Sequence, residues 1–146
     1  MANNNVFEHT LIELKSKLSG GEESSSRGSI LFVEDEPVLS TMVSKMLTYL
    51  GYKVITAMNA EAAVEIFEQQ HGCFDVLITD VILPRMNGKE LYSRLKKINN
   101  QLRVIYISGY PEETLEKYGI IPGYMNLLKK PFSLDIISHK IRQALV

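Results

Sequence analysis

The sequence predicts an α/β domain of the doubly wound kind, a five-stranded parallel sheet with helices on both faces. Three observations point there. Continuous apolar runs at residues 30–33, 76–78 and 104–107 have the length of strands covered on both sides. The segments between them carry apolar residues at helical spacing. The connections are short, so strand and helix alternate five times within residues 29–146.

Residues 1–28 differ from the rest. Phe7, Leu11, Leu14 and Leu18 form one helical stripe, and the stretch from Ser19 to Gly28 is a Gly/Ser-rich linker. Two heptads are too few for a coiled coil, so the expectation is a short helix docked on the domain, with His9 solvated.

The first strand is Ile30-Leu31-Phe32-Val33. Pro37 suits the first turn of a helix that presents Leu39, Met42, Val43, Met46, Leu47 and Leu50, and Gly51 ends it. A second strand covers residues 54–57. Asn59 then caps a helix burying Ala60, Ala63, Val64 and Phe67. The third strand begins at Val76 and leads to Asp80, after which Pro84 and Asn87-Gly88 are turn residues. Leu91, Leu95 and Ile98 mark a third helix, and residues 104–107 a fourth strand. A short, weak helix at 112–118 is bracketed by Pro111 and Gly119. Residues 124–128 make the fifth strand, and Ser133 caps a last helix burying Leu134, Ile137, Ile141 and Leu145.

Composition narrows the function. With 45% hydrophobic and 23% charged residues the chain can build a soluble core. A net charge of -1 gives no general electrostatic reason to bind nucleic acid or an anionic membrane. There is no apolar run near membrane-spanning length and no leader pattern. Cys73 is the only cysteine, which rules out an internal disulfide and fits a reducing, cytoplasmic location.

The candidate chemistry sits at the strand ends, where an open parallel sheet binds its ligands. Glu34, Asp35 and Glu36 follow the first strand, Asp80 the third, Ser108-Gly109 the fourth and Lys129-Lys130-Pro131-Phe132 the fifth. In the flavodoxin-like order 2-1-3-4-5 the first and third strands are neighbours, which would bring Glu34, Asp35 and Asp80 together. Carboxylates so close repel unless a cation compensates, and a hard divalent ion such as Mg²⁺ (or Mn²⁺) suits oxygen ligands. Lys130 adds a positive charge and Ser108 a hydroxyl donor, a set suited to phosphoryl transfer onto Asp80. Singly, each group has a plainer explanation: acids at a helix N-terminus, a solvated lysine pair, a turn. Their joint placement, each after a different apolar strand, carries the argument.

Leu31-Phe32-Val33-Glu34-Asp35-Glu36-Pro37, Asp80-Val81-Ile82-Leu83-Pro84-Arg85-Met86-Asn87-Gly88, Ile107-Ser108-Gly109-Tyr110 and Lys130-Pro131-Phe132 resemble a response-regulator receiver domain across residues 29–146. The resemblance implies a phosphoacceptor of bacterial two-component signalling, not an enzyme acting on other substrates. Asp80 would accept a phosphoryl group from a histidine kinase or histidine phosphotransfer protein. Glu34, Asp35, Asp80 and the Ile82 carbonyl would hold the metal, Ser108 would be the switch hydroxyl, Lys130 would pair with the phosphate, and the Lys130-Pro131 peptide would be cis. The Ser108-Gly109-Tyr110-Pro111 and Leu127-to-Phe132 stretches are most similar to receivers of hybrid sensor kinases. With no kinase core or DNA-binding output domain in these residues, the expectation is an excised or stand-alone receiver.

Two departures from the family pattern matter. Glu34 stands where Asp is commoner. Leu127 stands three before the lysine, where many receivers carry an aromatic switch residue, leaving Tyr110 or Tyr106 as substitutes. Ile82 and Tyr110 lie two residues after Asp80 and Ser108, where they would tune water access to an acyl phosphate. The expected output surface joins the fourth helix and fifth strand, with Tyr118, Tyr124 and Leu127, and would serve a second receiver or an effector. Rival readings fare worse. A haloacid-dehalogenase-like hydrolase would need Asp-x-Asp after the first strand, and Glu34-Asp35-Glu36 is not that. A flavodoxin would not place three acids against a phosphate. A receiver-like module without chemistry would not need Asp35, Asp80, Ser108 and Lys130 together.

Overall fold

A computed structural model describes residues 27–119 and 126–146. The expected N-terminal helix and most of its linker, and the start of the fifth strand with Tyr124, lie outside the described residues.

Five strands, β1 (Ser29–Val33), β2 (Lys53–Ala57), β3 (Val76–Asp80), β4 (Arg103–Ser108) and β5 (Leu127–Lys129), form one sheet in the order β2-β1-β3-β4-β5, every pair parallel. The helices are α1 (Pro37–Tyr49), α2 (Ala60–Gln69), α3 (Gly88–Ile98), α4 (Glu112–Glu116) and α5 (Leu134–Ala144). Side chains alternate across each strand, which divides the core in two. Ile30, Phe32, Val76, Ile78, Ile105 and Ile107 pack with α1 and α5. Leu31, Val33 and Leu77 pack with α2 and α3. A third, small cluster of Val81, Tyr106 and Leu115 lies beneath α4.

Local chemistry sets the element ends. Pro37 opens α1, and Gly51, at φ 101°, supplies the left-handed turn after it. The Asn59 side chain accepts from Ala62 N at 2.7 Å, and Ser133 Oγ from Ile136 N at 3.2 Å. Asn87 does more than turn the chain. It caps α3 by accepting from Glu90 N, while the Glu90 carboxylate accepts from Asn87 N, a capping box legible in Asn87-x-x-Glu90.

Burial departs from helical periodicity at two helix ends. Ile98, the last residue of α3, is 48% exposed, and Leu145, which caps α5, is 37% exposed. The spacing persists into a last turn, but burial needs a neighbour opposite. Leu39, Met42 and Leu50 are only partly buried at the edge of the α1 face. The fourth helix ends two residues short of the expected 118 and runs through a turn to Gly119, at φ 78°.

Candidate functional site

Four of the five strand ends deliver one component each. Asp80 is the last residue of β3 and Ser108 the last of β4, both buried. Glu34 directly follows β1 and Lys130 directly follows β5. Lys130 Nζ lies 3.0 Å from Asp80 Oδ1 and 3.0 Å from Glu34 Oε1, bridging the two acids. Glu34 Oε2 accepts from Glu36 N at 3.3 Å. Ser108 Oγ accepts from Tyr110 N at 2.9 Å, and Ser108 O accepts from Lys130 N at 2.8 Å. The Lys130-Pro131 peptide is cis. Glu34, Asp35, Asp80, Ile82, Ser108, Tyr110 and Lys130 are among the residues lining one pocket of about 200 Å³.

The main chain around Asp80 is held from below. Thr79 Oγ1 donates to Asp80 O at 3.0 Å, and Val81 N donates to Ile107 O at 3.0 Å. Gly88 N donates to Val81 O at 2.7 Å, and its Cα is pressed so closely on the Asp80 carbonyl that a Cβ would collide with it. Gly88 is therefore more than the turn residue its sequence context suggested. The buried hydroxyl of Thr79 carried no signal within an apolar strand.

The charges are out of balance. Burial, reinforced by the Asp80 carboxylate, pushes Glu34 up to about 8. Burial also pushes Asp80 up, while its hydrogen bond with Glu34 and the Lys130 ammonium pull it back. The two acids titrate as a coupled pair, both raised by burial, with the Lys130 ammonium 3.0 Å from each. Burial lowers Lys130, but its two acidic partners outweigh that and hold it above the ordinary lysine range.

This donor set fits a hard divalent cation. Glu34, Asp35 and Asp80 each offer a carboxylate oxygen, and the three lie within 4.8 Å of one another. A proton retained on a buried carboxylate marks the charge that such an ion would replace. Ile82 lines the same pocket.

The other expected site residues are more dispersed. Tyr110 stands at the rim, 50% exposed. Leu127 is paired in register with Tyr106, and both pack in the cluster beneath α4 rather than at the pocket. Tyr106 is buried there, and that burial pushes its phenol up to about 12. Tyr118 is exposed. Among the described residues no helix is long and apolar enough to cross a membrane.

Comparison with known proteins agrees with this geometry. The family model described as the response regulator receiver domain matches residues 30–142. The chain is 30% identical to the sensor kinase CckA of Brucella abortus over 88% of its own length, but spans only 14% of that kinase. It is also 30% identical to the response regulator receiver protein CpdR of Brucella abortus, over 80% of this chain and 96% of CpdR. The crystal structure of the receiver domain of the hybrid histidine kinase CckA superposes with a TM-score of 0.68 at 31% identity, covering 82% of this chain and all (100%) of that one.

Proposed function

The chain belongs to the response regulator receiver family, a regulatory module of two-component signalling, and from that premise we propose that Asp80 is its phosphoacceptor. The single observation that carries this reading is the Lys130 ammonium, 3.0 Å from Asp80 Oδ1 in a solvent-reachable pocket. A buried carboxylate beside a fixed cation is a nucleophile whose product charge is already matched.

An Asp80 carboxylate oxygen attacks the phosphorus of a phosphohistidine on a histidine kinase or phosphotransfer protein. The phosphorus–nitrogen bond breaks, and the imidazole leaves with its electron pair. Glu34, Asp35, Asp80 and the Ile82 carbonyl would hold Mg²⁺ or Mn²⁺, which neutralises charge on the acids and on the phosphoryl oxygens. Lys130 pairs with a phosphoryl oxygen. The acyl phosphate carries roughly -1.5 to -2 charges where the carboxylate carried one, so it needs further donors. The Ser108 hydroxyl, which accepts from Tyr110 N and lines the same pocket, turns to donate to it. That movement pulls the β4–α4 loop and shifts α4, making the α4–β5 face the output surface for an effector or a second copy. Ile82 and Tyr110 flank the acyl phosphate and slow its hydrolysis. In this reading the receiver is residues 29–146, and residues 1–28 precede it in the sequence.

Intact mass after incubation with acetyl phosphate and Mg²⁺ tests this. One added phosphoryl mass is expected in wild type and none in Asp80→Ala. An adduct that survives Asp80→Ala would overturn the assignment. So would a wild type that stays unmodified by both acetyl phosphate and a phosphohistidine donor.

A further inference from the structure

The short helix α4 is lightly fastened. Its one buried residue is Leu115, set on Tyr106 and Val81. Its N-cap, Pro111, contributes no side-chain hydrogen bond. At its other end the chain passes through a turn to Gly119, whose carbonyl accepts from Lys89 Nζ at 3.0 Å across 30 residues of sequence. Gly119 takes φ 78°, and a Cβ there would come within 3.1 Å of that ammonium.

The two ends of this bond rest on unequal foundations. Lys89 follows Gly88, whose N–H is bonded to Val81 O and whose Cα is packed on the Asp80 carbonyl. The base of Lys89 is thus tied to the acceptor residue's own backbone. Gly119 rides at the end of α4, whose beginning depends on the loop that Ser108 holds through Tyr110 N. Moving Ser108 moves α4 and leaves the base of Lys89 in place. A hydrogen bond of 3.0 Å is lost once its partners separate by about 1 Å more.

We propose that Lys89 is a latch, a positioning residue that holds α4 in its resting place by bonding the Gly119 carbonyl. Resting on the assignment of Asp80 as phosphoacceptor, the latch also restrains modification, because a contact made only in the resting state must be broken to leave it. By linkage, removing it favours the phosphorylated conformation by the strength of one exposed, charge-assisted hydrogen bond, about two- to fivefold. Leu115 keeps α4 against the sheet in either state, so the latch sets the position of α4 and the local opening of residues 112–119 and leaves the global fold intact.

The test uses the full chain and three proteins: wild type, Lys89→Met, which keeps the apolar stem without a donor, and Lys89→Arg, which keeps the donor. In the unmodified proteins, amide exchange over residues 112–119 is expected to speed up two- to fivefold in Lys89→Met and to stay near wild type in Lys89→Arg. Unchanged exchange in Lys89→Met overturns the latch, whatever happens at Asp80. With acetyl phosphate and Mg²⁺, Lys89→Met is expected to be modified about two- to fivefold faster, a direction that mere damage to the fold would reverse. An equal or slower rate overturns the coupling and shows that the flexible lysine follows α4. A wild type that takes no phosphoryl group from acetyl phosphate or from a phosphohistidine donor refutes the Asp80 assignment and with it the coupling, while the exchange measurement still decides the latch.

Discussion

Glu34→Gln replaces a proton-bearing carboxyl with an amide of the same shape, and so isolates the charge imbalance at the site. In the metal-free protein Glu34 is held at about 8, against 4.5 for the ordinary carboxyl. A pKa raised by folding stabilises fully below the unfolded value, and that stability is lost as pH rises through the folded value. From pH 7 to pH 9 the unfolded chain has no proton left to lose here, whereas the folded chain goes from about ten-to-one protonated to about ten-to-one ionised. The loss is about 1–2 kcal/mol, a few degrees in Tm for a domain of this size. Thermal unfolding in a chelator at pH 6, 7, 8 and 9 should show wild type falling by that amount between pH 7 and 9 relative to Glu34→Gln. The same proton must leave when a cation binds, so the Mg²⁺ affinity of wild type should rise up to about tenfold per pH unit below 8 and level above it. Parallel Tm curves for the two proteins, together with an Mg²⁺ affinity flat from pH 6 to 8, would refute the reasoning.

Three further outcomes are expected. Gly88→Ala forces a methyl onto the Asp80 carbonyl and should cost about 2–3 kcal/mol in denaturant unfolding, with slower phosphoryl acceptance in the folded fraction. Arg85 holds φ 68°, and its ion pair with Glu61, 3.5 Å between Arg85 Nε and Glu61 Oε2, is exposed, so Arg85→Gly should stabilise by about 0.5–1 kcal/mol. A destabilised variant would show that the loop draws on that pair. The double variant Ile82→Asn, Tyr110→Ala opens the pocket to water and should shorten the phospho-Asp80 lifetime several-fold, read by loss of the phosphoryl mass over time. An unchanged lifetime would remove both residues from the tuning role.

Much of this protein was legible in its sequence, because the signals are local. Apolar runs such as Ile30-Leu31-Phe32-Val33 have the length and β-branched or aromatic content of strands covered on both faces, and the repeated strand–helix alternation leaves few topologies. Asn59 and Ser133 announce helix starts through hydrogen bonds made within three residues. The strand ends likewise pointed to Glu34, Asp35, Asp80, Ser108 and Lys130 as one group, since parallel strands align their carboxyl ends. What only the tertiary structure decided depends on what lies opposite each residue. Ile98 keeps helical spacing yet stays exposed. Gly88 reads as a turn until the Asp80 carbonyl is found against it. Leu127 and Tyr106, far apart in sequence, share one register position beneath α4. The raised Glu34 carboxyl and the bond from Lys89 to Gly119 exist only because folding brings together charges and carbonyls that no local pattern connects.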